Sequence, residues 1–262
     1  VEINDEEENA LYCAILLHDI GHGPFSHAME HSIVESTDHE YISLQFMEAM
    51  NVTFNGSLTL AISIFKGKCE KGFLNQLVSS QLDMDRLDYL RRDSFYTGVA
   101  EGNINAERLI TMLNVVNGML VVEEKGIYSV EKFLMARRFM YWQVYLHKTS
   151  LAAEQMLIRV LKRAKELATA GQKLPVSDAL GYFLYRQIEK SDFSKDRKAL
   201  LDRFAQLDDI DIFSALKSFG GYDDFVLSFL AKGLVDRRLF KTELSNLPFE
   251  SDHIEKLRHK AV

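Results

Sequence analysis

The sequence predicts an all-α protein, and three observations carry that reading. Only three prolines occur in 262 residues, so little interrupts helix formation. Apolar residues recur at i, i+3 and i+4 along most of the chain, the spacing of one buried helix face. The one stretch with strand character, 115–128, is rich in Val, Leu and Ile around Asn117-Gly118 and Lys125-Gly126, which suits a short β-hairpin. A hydrophobic fraction of 47% is enough for one large core at this length.

Taken in order, the first helix spans 5–19. Asn4 serves as its cap and Asp5, Glu6 and Glu7 form an acidic first turn that complements the helix dipole. Leu11 to Leu17 are mostly apolar, so the helix reads as buried and delivers His18 and Asp19 at its end. His22 follows His18 by four residues and shares its face if the helical turn persists. Gly23 then breaks the helix, and Pro24 suits the first position of the next, over 25–35, whose free N–H groups can face a phosphate. Further helices are expected at 38–50, 57–66, 71–80, 83–92 and 105–113. In the 83–92 helix Leu82, Leu87 and Leu90 face the core, while Asp85, Tyr89 and Arg92 share another side. After the hairpin, one long helix is expected from Ser129, as its cap, to Ala170, stopped by Gly171. Arg137, Tyr141, Tyr145 and Lys148 lie on one stripe of it. Shorter helices follow from Leu174, separated at 190–192, 220–221 and 246–248. The expected organisation is a core over 1–170 with a C-terminal helical extension, 171–262, packed on it.

Charge narrows the functional classes. The formal net charge of −7 argues against a general nucleic-acid or membrane surface, so any anion site must be a focused pocket. Cys13 and Cys69 are far apart and give no disulfide framework, which suits a reducing, cytoplasmic setting. No apolar run is long enough to span a bilayer. The chain opens at Val1 with helix immediately behind it, so the sequence is expected to start inside a domain.

The chemistry concentrates in His18-Asp19-Ile20-Gly21-His22-Gly23-Pro24-Phe25-Ser26-His27. Three imidazoles and a carboxylate in ten residues are costly to bury without an ion or ligand. A second acidic group to complete a metal site is supplied by Leu82-Asp83-Met84-Asp85-Arg86-Leu87-Asp88-Tyr89-Leu90-Arg91-Arg92-Asp93. Taken alone, that segment also fits a solvated, ion-paired helix face, and the stripe from Arg137 to Lys148 an amphipathic one. Imidazole and carboxylate donors suit Mn, Fe, Co, Ni or Zn. Residue chemistry reaches as far as a phosphohydrolase.

Together, these two segments resemble the HD-domain family of metal-dependent phosphohydrolases, and more narrowly its deoxynucleoside triphosphate triphosphohydrolase branch. The resemblance covers about 10–165, and the extension matches only loosely. It implies an HD-domain helical core with His18, Asp19 and Asp85 as ligands of a divalent metal, Mg included among the options. The family's fourth ligand is an upstream His, and no His precedes His18; loss of an upstream segment is the expected reason. The resemblance places His22, His27, Glu30 and His39 in the catalytic surroundings, with Glu30 orienting His27 as proton donor to the leaving oxygen. It gives Arg137 and Lys148 phosphate contacts, sets Tyr145 beneath the sugar, with Tyr141 on the same stripe, and assigns Arg86, Tyr89 and Asp93 to phosphate and 3′-hydroxyl groups. His31, His147, His253 and His259 receive no role. The implied reaction is water attack on the α-phosphorus of a dNTP, releasing deoxynucleoside and triphosphate, in a homo-oligomer. A nucleotide phosphomonoesterase, a cyclic-nucleotide phosphodiesterase and a non-catalytic nucleotide sensor or scaffold with a relic metal site are the alternatives.

Overall fold

The computed structural model describes residues 2–30 and 37–261, without the side chains of His27, Glu30, Ser194 and Ala261. The fold is all-α apart from one two-stranded hairpin. Helix α1 (Asp5–Leu17) starts at the expected cap: Asn4 accepts from the Glu7 N–H and Glu7 accepts from the Asn4 N–H, a reciprocal arrangement that satisfies two free amides. The helix is less buried than its apolar run implies. Ala10 and Ala14 are buried while Leu16 is 78% exposed, because an evenly apolar stretch does not encode which face meets a partner.

Helices α2 (His27–Glu30), α3 (His39–Thr53), α4 (Thr59–Phe65), α5 (Gly72–Val78), α6 (Met84–Thr97) and α7 (Ala106–Thr111) follow. Each answers an expected helix, with α2 shorter within the described residues and α6 one turn longer. His31 lies outside the described residues. The hairpin pairs β1 (Leu113–Val116) with β2 (Met119–Val122), in the register Leu113↔Val122. Asn117 and Gly118 both take positive φ, 52° and 76°, the twist a two-residue hairpin needs. The hairpin thus ends before Lys125-Gly126, which instead forms a 3-10 turn, Glu124–Gly126. It also docks: the Leu120 N–H donates to Gln76 of α5 at 2.8 Å.

The single helix expected over 129–170 is divided. Helix α8 (Ile127–Met140) begins two residues before Ser129, directly from the 3-10 turn, so Ser129 is not its cap. A wide π turn, Tyr141–Tyr145, follows, closed by the Leu146 N–H donating to the Tyr141 carbonyl at 2.7 Å. His147 is extended and caps α9 (Lys148–Thr169) through its ring nitrogen, which accepts from the Thr149 N–H. The wide turn shifts the phase of the helix, so the four-residue stripe predicted from Arg137 to Lys148 does not exist as one surface. Gly171 ends α9 where expected, with φ +82°.

Beyond Gly171, where the sequence predicts the extension, lie α10 (Asp178–Leu184), α11 (Asp192–Lys195), α12 (Arg197–Phe204), α13 (Asp209–Phe219), α14 (Phe225–Val235) and α15 (Ser251–Ala261). Among the described residues, three apolar clusters hold the fold. One joins α1, α3, α4 and α5 around Ala14, Met47, Ile64 and Leu74. A second joins α6, α7 and α8 around Leu90, Leu109, Phe133 and Met140. The largest packs α9 against α2, α3 and the extension through Val160, Phe183, Phe193, Phe219 and Leu227. The ends of α1, α3 and α6 meet where these clusters adjoin. Among the described residues, no helix is long and apolar enough to cross a membrane.

Candidate metal and phosphate site

Helix α1 ends at Leu17, and the following residues fold into turns closed by Ile20 N–H to Leu17 O at 3.3 Å and His22 N–H to Asp19 O at 3.0 Å. The helical turn does not persist, so His18 and His22 do not share a helix face as expected; Asp19 joins them instead. Gly21 makes this possible. A Cβ there would lie 2.3 Å from both the His39 carbonyl oxygen and the Ser43 nitrogen, and its buried N–H donates to Ser43 Oγ at 2.8 Å. The start of α3 therefore rests directly on the turn, and His39 stacks on His22 with ring centroids 3.9 Å apart. Asp38 fixes that helix start by accepting from the Tyr41 N–H.

His18 is oriented by its own helix. Its Nδ1–H donates to the Ile15 carbonyl at 2.6 Å, which leaves Nε2 facing Asp19 at 3.4 Å and Asp85 at 3.8 Å. His22 Nε2 lies 3.7 Å from the other oxygen of Asp19. Asp85 stands in the first turn of α6, and burial pushes its carboxyl above the usual carboxylate range, with Asp19 and Asp83 adding to the rise and His18 opposing it. Two overlapping donor groups result, His18–Asp19–Asp85 and Asp19–His22–His39, each with its ligand atoms within 4.8 Å of one another. This donor set fits a divalent cation. It combines imidazole nitrogen with carboxylate oxygen, presents a histidine whose other nitrogen is already anchored to a carbonyl, and holds a partly buried carboxylate that gains from a nearby positive charge.

A second cluster lies along α6 and the wide turn. The Tyr145 hydroxyl donates to Asp93 at 2.6 Å. Tyr145 also packs edge-on against Tyr89 at 6.0 Å and Tyr141 at 5.2 Å. Arg137 lies over the Tyr141 ring and donates to Gln81 at 3.1 Å. Burial, reinforced by the bond to Asp93, raises the Tyr145 phenol and keeps it a donor. Burial likewise raises Tyr89. The structure thus brings Tyr89 and Asp93, from one expected set, together with Arg137, Tyr141 and Tyr145 from the other. It does not bring Lys148 into that group: the residue is exposed at the head of α9, beyond the break. Arg92 turns outward and pairs with Asp88.

The expected helix start at Pro24 differs as well. Phe25 and Ser26 take left-handed conformations, φ 58° and 45°, and the Ser26 N–H bonds back to Gly23 O at 2.9 Å. This tight turn delays α2 to His27, so Pro24 does not open a helix with amides free for phosphate. The side chains of His27 and Glu30 lie outside the described residues.

Sequence reasoning passed over several residues of the site. A cavity of about 380 Å³ is lined by His18, Asp19, Asp85 and Arg86, and also by Lys66 and Asn75. Asn75 donates to the Ile64 and Phe65 carbonyls at the end of α4, and Lys66 pairs with Glu48. Asp83, 1% exposed, caps α6 and binds Arg86. An Asp three residues before an Arg at a helix start was the legible signal for that pairing.

Comparison with known proteins agrees with this geometry. Residues 1–90 match the HD domain family and 104–180 the HD associated region. A phosphohydrolase of Bacteroides thetaiotaomicron of known crystal structure is 56% identical, with a TM-score of 0.94, over 100% of this chain and 64% of that one. The uncharacterized protein YwfO of Bacillus subtilis is 32% identical over 92% of this chain and 54% of its own length. A Dictyostelium discoideum protein named deoxynucleoside triphosphate triphosphohydrolase SAMHD1 homolog is 28% identical over 69% of this chain and 37% of its own. The chain therefore spans less than two thirds of each of these relatives. The matched domain, the shared backbone and the convergence of His18, Asp19 and Asp85 agree: the chain belongs to the HD-domain phosphohydrolase family.

Proposed function

We propose that this chain carries the active site of a metal-dependent phosphohydrolase acting on nucleotides, hydrolysing dNTPs to deoxynucleoside and triphosphate. The observation that carries the reading is the juxtaposition of two groups: the His18–Asp19–Asp85 donor set stands beside Arg86, and the same helix α6 also carries Tyr89 and Asp93, which meet Tyr145. The relative named as a triphosphohydrolase supports the choice of substrate. His18, Asp19 and Asp85 would hold the divalent ion, of Mn, Fe, Co, Ni, Zn or Mg type. When bound, it supplies Lewis-acid polarisation of a phosphoryl oxygen and a more acidic water.

The residues divide the remaining work. Arg86 and Arg137 neutralise the polyphosphate, which focuses cationic charge inside an acidic protein. Tyr145, held by Asp93 and flanked by Tyr89 and Tyr141, packs beneath the deoxyribose and excludes a 2′-hydroxyl, while Asp93 and Tyr89 face the 3′-hydroxyl. His22 and His39, stacked at the edge of the donor set, orient the phosphate and relay protons. The family resemblance gives His27, with Glu30 as its partner, the delivery of the proton to O5′ as the bond from the α-phosphorus to O5′ breaks and water oxygen replaces it. The proposal takes the protein as a cytoplasmic homo-oligomer, as the family resemblance implies.

Product analysis tests this reading. The metal-loaded protein is incubated with each dNTP, and products are resolved by phosphorus NMR and ion-exchange chromatography. Deoxynucleoside and tripolyphosphate in equal amounts are expected. Release of inorganic phosphate assigns a phosphomonoesterase instead, and tight nucleotide binding without turnover assigns a sensor. Asp85→Ala is expected to remove metal binding and turnover together.

A further inference from the structure

Arg86 reaches the site from the first turn of α6, and its guanidinium is not free to choose its orientation. Asp83 is the cap of that helix: one carboxylate oxygen accepts from the Arg86 N–H at 2.8 Å. The other accepts from the Ser80 N–H at 2.9 Å and from Nη1 of the Arg86 guanidinium. The carboxylate is almost fully buried, whereas Arg86 is 27% exposed. Within this pair Nε of Arg86 is itself buried and has no hydrogen-bond partner among the described residues. A guanidinium offers donors along distinct edges in a rigid fork. With Nη1 tied down and Nε enclosed, the guanidinium has little freedom to turn, and only its remaining part can meet a ligand. The same connector, 79–83, holds the second arginine, since Gln81 accepts from Arg137.

We infer that Asp83 is a positioning residue for substrate phosphate: by holding Nη1 it fixes the rotation of the Arg86 guanidinium, so that the accessible part of the side chain faces the cavity it lines and meets the phosphate there. The inference rests on the phosphohydrolase reading above. One buried carboxylate therefore sets two things at once, the helix register that places Asp85 at the metal and the rotation of the neighbouring guanidinium. The two functions separate by mutation. Asn and Ser both cap helices well, but neither keeps a second carboxylate oxygen for Nη1.

The test uses the full metal-loaded chain and inorganic tripolyphosphate, whose binding is read by calorimetry without turnover. Asp83→Asn and Asp83→Ser are expected to fold with a lowered thermal midpoint, because the Ser80 N–H and Nη1 lose their acceptor, to bind tripolyphosphate about tenfold more weakly or worse, and to show a raised KM for dNTP. A reduced folded fraction would lower apparent kcat and leave both KM and the dissociation constant unchanged. Arg86→Ala is expected to give the same loss, with no further loss on adding Asp83→Asn, as coupled partners require. Asp88→Asn, which frees only the outward Arg92, leaves binding unchanged. Parent-like tripolyphosphate binding in either Asp83 variant, or losses that multiply with Arg86→Ala, overturns the positioning role alone. Arg86→Ala that binds tripolyphosphate as the parent does removes the phosphate assignment itself.

Discussion

Gly21→Ala is the most severe test of how the site is assembled, because a single methyl must occupy space already filled by backbone. The added carbon would lie 2.3 Å from the His39 carbonyl oxygen and from the Ser43 nitrogen, and 2.8 Å from Ser43 Oγ. Neither backbone atom can rotate away, so the start of α3 must move by about 1 Å to restore van der Waals contact, a strain of order 1–3 kcal/mol. That shift also stretches the buried bond from Gly21 N–H to Ser43 Oγ, adding about 1 kcal/mol or more if the donor is left unsatisfied. A loss of about 2–5 kcal/mol of stability is expected in a urea titration with unchanged slope. The catalytic consequence should exceed the stability effect: His39 moves relative to His22, and misplacement by about 1 Å typically reduces turnover about a hundredfold. Ser43→Ala separates the two causes, since it removes the acceptor without adding volume and should produce the smaller loss. A Gly21→Ala protein with the parent urea midpoint and parent turnover would refute the close-approach argument.

Three further outcomes are expected. Tyr145→Ala removes the hydroxyl that donates to Asp93 and the ring flanked by Tyr89 and Tyr141, and should relax deoxy-over-ribo discrimination by about tenfold, or about 1.4 kcal/mol, in parallel kcat/KM measurements; unchanged discrimination removes the sugar assignment. Chelator treatment should lower the thermal midpoint of the parent and leave that of Asp85→Ala unmoved, because binding to the folded state alone stabilises it; equal shifts in both would place the metal elsewhere. Arg163 holds the Asp224 carboxyl below the usual range through paired bonds at 2.7 and 3.2 Å. A carboxyl depressed in the folded state contributes stability above its unfolded value near 3.9, and that contribution is lost as pH falls from there through the lower folded value. Arg163→Met should therefore be less stable than the parent at neutral pH and show a shallower acid loss below about pH 4; superimposable pH profiles would exclude the linkage.

The parts of the fold that were legible in the sequence are those fixed by local chemistry. Asn4 and the acids behind it announced α1, Asn117-Gly118 announced the hairpin turn, and Gly171 announced the end of α9. Caps and left-handed positions act over a few residues, so their signal is intact in one dimension. The candidate donor cluster has a different origin: His18, Asp19 and Asp85 have no apolar periodicity to explain them, the family resemblance groups them, and the two carboxylates lie 3.4 and 3.8 Å from His18. What escaped was set by tertiary packing. The apolar run of α1 gave no hint that Leu16 is exposed. The sequence assigns no role to Gly21, whose empty side is occupied by Ser43, twenty-two residues away.

The division of α8 from α9 shows how such a tertiary demand can override a continuous helical pattern. From Ile127 to Thr169 the residues favour helix, and a regular helix would carry Arg137, Tyr141, Tyr145 and Lys148 along one side. Tyr145 is bonded instead to Asp93 on α6 and packed against Tyr89. The bond from this half-buried phenol to a carboxylate is charge-assisted and favours the wide turn that places it there. The inserted phase shift sends α9 toward the extension, where Val160 and Leu161 enter the largest apolar cluster, while the aromatic group stays at α6. The irregular turn is thus what allows one sequence segment to serve two cores, and it falls where the proposed sugar contact lies, as such turns often do at functional sites.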